Sequence, residues 1–150
     1  MGEVEELVQS IVQRLLTLMR YQHRYSHRVR DELHMSGRQL SILRYLVEMG
    51  PRSVGEISRR FHIRDGTTSP LLDRLEEQGY IQRRRCSHDN RRVLVEATEK
   101  GREIIGHAPL GAIDQLRAQL PDLPLEELQI IDQALQRLSE IALVDETLLT

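Results

Sequence analysis

Along most of this chain apolar residues recur at the three-and-four spacing of a helix. From Val4 through Leu7, Val8, Ile11, Val12, Leu15, Leu16, Leu18 and Met19 they form a stripe too wide for a lone surface helix to leave in water. That segment predicts a long first helix covered by another part of the chain or by a second subunit. Ser36 can cap a second helix running through Leu40, Leu43 and Leu46 to a stop at Gly50-Pro51. Ser53-Val54-Gly55-Glu56 then places Ser and Glu three apart, the spacing at which both side chains bond free backbone N–H groups of a helix start. Val54, Ile57 and Phe61 continue that short third helix, and His62-Ile63-Arg64 is a turn. A fourth helix buries Leu71, Leu72 and Leu75 and ends at Gln78-Gly79, where Gly tolerates the left-handed conformation. Asp65 is the natural cap for it, yet Pro70 would then remove an early backbone bond. A start nearer Thr67 places Pro70 in the first turn, and the sequence leaves both open.

The helical spacing breaks once. Tyr80 to Cys86 and Arg92 to Ala97 each read as a strand, joined by Ser87-His88-Asp89-Asn90-Arg91, whose residue types suit a hairpin tip. After the hairpin, Thr98 opens a long helix through Ile104, Ile105, Ile113, Leu116 and Leu120, bent or broken near Gly106, Pro109 and Gly111. Pro121 to Pro124 is a short break. The last helix carries Leu125, Leu128, Ile131, Leu135, Leu138, Ile141 and Leu143. The expected fold class is mainly α with a small β-hairpin wing, in the order α1-α2-α3-α4-β-wing-β-α5-α6. Residues 35–98 form a winged helix-turn-helix lobe, and residues 1–34 and 99–150 a helical dimerisation region. The terminal helices carry more apolar surface than one small lobe needs, so a homodimer is the economical expectation.

A helix followed by a basic hairpin suits two surfaces of duplex DNA: the helix fits the major groove, and the hairpin tip reaches the backbone or the minor groove. Gly66, Thr67, Thr68 and Ser69 at the leading end of the fourth helix are small and mostly hydroxylated, which permits close approach to bases and phosphates. With them, Ser53, Arg64, Asp65, Arg74, Arg84, Arg85, Asp89 and Arg91 make up the expected DNA-binding set. Asp89 lies two residues from Arg91, where its carboxylate can hold the guanidinium in one orientation before DNA arrives. Taken alone, five arginines in a hairpin would equally suit a solvated surface; their position behind a helix-turn-helix pattern favours DNA. Two such helices about one DNA turn apart would read a palindromic operator.

Charge is unevenly distributed. Residues 52–102 hold 12 Arg+Lys against 8 Asp+Glu, a local +4, while residues 114–150 hold 2 against 8, a local −6; the 150-residue chain is −2 overall. A positive lobe with an acidic end suits a protein that meets DNA with one part only. No signal peptide and no apolar run of membrane-span length is evident, and one cysteine fits a reducing cytoplasm. Absent a Gly-rich phosphate loop, nucleophile motif or metal set, enzyme activity and a cofactor are not expected.

Several segments together resemble the multiple-antibiotic-resistance regulator (MarR) family of bacterial winged-helix repressors, over almost the whole chain. They are Met35-Ser36 with Gln39 and Ile42-Leu43, Ser53-Val54-Gly55-Glu56-Ile57, and Leu72-Asp73-Arg74-Leu75-Glu76-Glu77-Gln78-Gly79-Tyr80-Ile81. Asp89-Asn90-Arg91-Arg92 is similar to the family's wing signature, and Thr98-Glu99-Lys100-Gly101 to the start of its fifth helix. The resemblance implies a homodimer with intertwined termini, recognition helices in successive major grooves, Arg91 in the minor groove, and release of the operator by a small molecule or an oxidant. Residues 65–72 are similar to the recognition helix of the organic-peroxide and redox-sensing branch. That branch's first-helix cysteine is not matched, since Val12, Ser26 and Gly37 stand at the corresponding positions. Within the resemblance, Tyr21, His23, Tyr25 and Arg28 fall where the family places its effector crevice, and their aromatic and cationic groups would suit an aromatic carboxylate or phenol. Ordinary helix surface and dimer packing is the competing reading. His23 and His27, four apart, could share a helix face, but no second pair completes a zinc site, and no metal is expected. Cys86 beside Arg85 could form a thiolate and answer to oxidant, although a strand cysteine is commonly inert. The alternatives to a ligand-released repressor are therefore an oxidant-responsive repressor using Cys86, or a winged-helix assembly module with no specific DNA partner.

Overall fold

The computed structural model describes residues 2–86, 88–89, 91–143 and 145–149. Its element order is α1 (Glu3–Leu33), α2 (Gly37–Met49), α3 (Val54–Phe61), α4 (Asp65–Glu77), β1 (Ile81–Arg85), β2 (Val93–Ala97), α5 (Glu99–His107), α6 (Ala112–Gln119) and α7 (Leu125–Ile141). Short 3-10 turns lie between α6 and α7 at Leu120–Asp122 and after α7 at Glu146–Leu149. The expected winged helix-turn-helix order is present. The long helix after the wing is broken between His107 and Ala112, around Pro109 and Gly111, so the last helix is the seventh rather than the sixth.

Local chemistry accounts for the boundaries. Ser36 accepts the Gln39 N–H at 3.1 Å while the Gln39 side chain accepts the Ser36 N–H at 2.8 Å. Ser53 and Glu56 repeat this at α3, at 3.2 and 3.4 Å, as the sequence spacing indicates. α4 closes with Gly79 at φ +80°: the Gly79 N–H donates to Glu76 O at 2.9 Å and the Tyr80 N–H to Leu75 O at 3.0 Å, the paired bonds of a glycine-terminated helix.

The chain divides into two compact units, residues 1–112 and 113–150. In the first, one core joins Val29 of α1, Leu40, Leu43 and Leu46 of α2, Ile57 of α3, Leu72 and Leu75 of α4, and Ile81 and Val95 of the hairpin. The strands pair antiparallel from Ile81 opposite Ala97 to Arg85 opposite Val93. Arg52, just before α3, adds a third edge: its N–H donates to Val95 O at 2.9 Å and its carbonyl accepts the Val95 N–H at 2.7 Å. This bridge, absent from the sequence-based expectation, fixes the wing against the helix-turn-helix. The apolar stripe of α1 is left in water; Val4 is 74% exposed and Leu7 57%. In the second unit Leu125, Ile130 and Ile141 of α7 are likewise exposed. No described helix is long and apolar enough to cross a membrane.

Candidate nucleic-acid interface

α4 begins at Asp65, so Arg64, not Asp65, occupies the cap position, and no side chain caps the helix. Thr67 and Thr68 both donate their N–H groups to Arg64 O, at 2.9 and 3.0 Å. Pro70 lies inside the helix, where it cannot donate to the Gly66 carbonyl. The early start is therefore realised with that bond forgone. Arg64, Asp65, Gly66, Thr67 and Arg74 are exposed, and Ser69 is half-buried. A helix start with uncapped N–H groups and a small residue at Gly66 can accept an approaching anion or base edge at short range.

Thr68 is the exception within this set. It is fully buried, donating its hydroxyl to Arg64 O at 3.1 Å and lying 2.8 Å from the buried Ser58 hydroxyl of α3. Three residues after the first helical position, its side chain turns inward with Leu72 and Leu75. It therefore joins the two helices rather than reaching a ligand. Ser53 is half-buried, and its hydroxyl oxygen is engaged by the α3 cap.

The hairpin arginines separate into two groups. Arg83 spans two carboxylates of α4, Asp73 at 2.8 Å and Glu76 at 2.9 Å, and its N–H also donates to Glu76 at 3.1 Å. Arg84 donates to Glu96 across the strands at 3.0 Å, and Arg92 pairs with Glu56 at the start of α3. Hydrogen bonds from Gln82, then Arg84, lower the Glu96 pKa from its usual 4.5. These three arginines brace the wing. Arg85 and Arg91 are exposed further out. At the tip, the Asp89 carboxylate accepts the Arg91 backbone N–H at 3.0 Å, and the Asp89 carbonyl accepts the Arg92 N–H at 3.0 Å. The expected carboxylate–guanidinium orientation is thus replaced by a turn-closing bond to the main chain, which a two-residue separation makes easily. The expected tip residues Ser87 and Asn90 lie outside the described residues.

Tyr21, Tyr25 and Arg28 of the expected effector set share one face of α1 by their spacing, and each side chain of the set has its own contact. Tyr25 is buried, its ring packed where a Cβ at Gly111 would come within 2.6 Å. Tyr21 donates to Leu110 O at 3.1 Å, and Arg28 pairs with Glu32 at 3.0 Å. His23 stacks edge-on with His27, ring centres 4.5 Å apart; two residues from either tyrosine on a helix, it points to the other side. Among the described residues no three His, Cys, Asp or Glu side chains gather as metal ligands. Cys86 is free and half-buried, with its N–H bonded to Arg92 O at 2.8 Å.

The family model described as MarR family matches residues 35–92, from the start of α2 to the end of the wing turn. An uncharacterised HTH-type transcriptional regulator of Bacillus subtilis, YfiV, is 33% identical over 112 residues, 70% of each chain. The chain belongs to the MarR family. Curated relatives of the chain are HTH-type transcriptional regulators. The regulator BldR from Sulfolobus solfataricus aligns over 91% of this chain and 99% of its own, at 26% identity and TM-score 0.62. Overoxidized AbfR bound to DNA shares the fold over 93% of this chain and 97% of its own, at 21% identity and TM-score 0.59. Within this MarR chain, the short segments Ser53–Ile57 and Thr98–Gly101 have structural explanations. The first is a helix cap whose Glu56 also ties down Arg92. In the second, Thr98 donates to Gly79 O and Lys100 to Gln78 O. Gly101 lets α5 pass so close to Tyr80 that a Cβ would lie 2.3 Å from its carbonyl oxygen.

Proposed function

We propose that this regulator binds double-stranded DNA sequence-specifically as a homodimer, acting as a repressor of a palindromic operator. The observation that carries the reading is the pairing of an uncapped, exposed α4 start with a wing whose inner arginines are braced and whose tip presents Arg91 outward. In this reading Arg64, Asp65, Gly66, Thr67, Ser69 and Arg74 face the major groove and its walls, Ser53 the backbone, and Arg84, Arg85, Asp89 and Arg91 serve the wing. The solved DNA complex of the structurally similar AbfR supports duplex DNA as the partner. Homodimerisation through residues 1–34 and 99–150 is supported by the exposed apolar stripe of α1 and the exposed apolar residues of α7, since contiguous apolar surface of that extent marks an association site. The protein works in the cytoplasm. Release is by a small aromatic or phenolic effector held near Tyr21, His23, Tyr25 and Arg28 of α1.

Footprinting on the DNA upstream of its own gene tests this, with Arg91→Ala alongside. A protected inverted repeat bound by a dimer is expected. Arg91→Ala should weaken binding to that site by about 1–3 kcal/mol if Arg91 reads the minor groove, with the dimer intact by sedimentation. Wild-type protein that binds no duplex, even at low salt, refutes the reading in favour of an assembly module.

A further inference from the structure

A groove of about 440 Å³ lies where the end of α1 and the start of α2 meet the flank of α4. Its lining includes the guanidinium groups of Arg30 and Arg74 and the imidazole of His34, and no carboxylate lines it. The contrast with the wing is sharp: there Arg83, Arg84 and Arg92 are each bound to a carboxylate. No ion pair is formed by Arg30, His34 or Arg74 among the described residues.

The groove is held rigidly. His34 has φ +55°, its N–H donates to Arg30 O at 3.1 Å, and its carbonyl accepts the Gln78 side-chain amide at 3.0 Å. Beneath, the Gln39 amide donates to Leu71 O at 3.3 Å, tying α2 to α4. On the α4 side Thr67, Pro70 and Arg74 line it; spaced three and four apart, they share one helix face, and all three are exposed. An α-helix with its side chains is about 10–12 Å across and the major groove about 12 Å wide, so a helix seated there meets a phosphate ridge on each flank. The Asp73–Glu76 flank of α4 is taken by Arg83 of the hairpin. The opposite flank carries this groove.

We propose that Arg30, His34 and Arg74 form a seat for one backbone phosphate of the duplex, a sequence-independent contact separate from the wing. The inference rests on the DNA-binding reading above. Two guanidinium groups and an imidazole line the same groove and can donate to one anion, and the seat costs little to order because its backbone is already fixed. A free oxyanion could satisfy the same chemistry, and the experiment separates the two.

The test uses the full chain and a fluorescein-labelled 40-base-pair duplex of mixed sequence, with anisotropy measured across a sodium chloride series. Each phosphate contact contributes about 0.9 to the slope of log affinity against log salt. Arg30→Ala should reduce the slope by about that amount for each seat engaged, and His34→Ala should weaken binding several-fold at low salt. Arg20→Ala, which removes the same charge ten residues or ~15 Å earlier on the same helix, controls for the long-range field. Binding of inorganic phosphate is followed by NMR on the same variants. If wild-type protein binds the duplex and Arg30→Ala matches Arg20→Ala in slope, the seat is refuted while DNA binding stands. Loss of inorganic phosphate binding with an unchanged duplex slope refutes it in favour of a free anion. Failure of the wild type to bind any duplex instead overturns the underlying reading.

Discussion

The buried hydroxyl pair between α3 and α4 permits a quantitative test of what holds the helix-turn-helix together. Thr68 donates to the Arg64 carbonyl at 3.1 Å, which leaves its oxygen to accept from Ser58 at 2.8 Å. The direction of the chain is therefore Ser58 to Thr68 to Arg64. Thr68→Val keeps the shape but removes the acceptor, stranding the Ser58 hydroxyl at 4% exposure. A buried donor left unmade costs about 1–3 kcal/mol. The Arg64 carbonyl suffers less, because it still receives the N–H groups of residues 67 and 68. Ser58→Ala should cost less than Thr68→Val, since Thr68 retains its bond to Arg64. Removing both hydroxyls leaves nothing stranded, so the double variant should fall short of the summed single costs by about 0.5–3 kcal/mol. Urea unfolding followed by circular dichroism at one fixed protein concentration reads all four proteins, the concentration being held because association would shift the midpoint. Costs that add to within about 0.3 kcal/mol, or a Ser58→Ala loss exceeding that of Thr68→Val, would refute the assigned direction and coupling.

Two further outcomes follow from contacts at the base of the wing. Gly101→Ala gains about 1 kcal/mol of helix propensity but drives a methyl into the Tyr80 carbonyl, 2.3 Å away, so net destabilisation of about 1–3 kcal/mol is expected from overpacking; a thermal midpoint at or above wild type would show that α5 shifts freely. Glu96 has a lowered pKa from its bonds to Gln82 and Arg84, so its contribution is fully present above the ordinary 4.5 and is lost as pH falls below that value through the folded-state pKa. Glu96→Gln should therefore lie below wild type in stability at neutral pH and converge with it in acid; a gap that persists at low pH would assign the effect to packing.

Helical spacing, caps and turn chemistry made most of the first unit legible. Ser36 with Gln39 and Ser53 with Glu56 fix helix starts through bonds within four residues, and Gly79 ends α4 by a local backbone preference, so each is written in adjacent letters. What escaped depends on residues brought together by folding. The Arg52–Val95 bridge joins positions 43 residues apart, and the segment around Arg52 has no strand pattern. Arg83, one of three consecutive arginines, is distinguished from its neighbours only by facing Asp73 and Glu76. Thr68 reads as one more hydroxyl in a run of three, and only the orientation of α4 reveals that it points inward. Of Tyr21, His23, Tyr25 and Arg28, the spacing puts the first, third and fourth on one helix face and His23 on another, while the burial of Tyr25 depends on the fold.

The grips between the end of α4 and the start of α5 make the two helices a single mechanical linkage. Thr98 and Lys100 hold the carbonyls of Gly79 and Gln78, and the notch at Gly101 leaves no slack against Tyr80. Torque applied anywhere along α5 is handed on to α4 with little lost motion. A signal that reorients one of these rods by a few degrees must steer the other, so responsiveness needs no melting of the lobe between them.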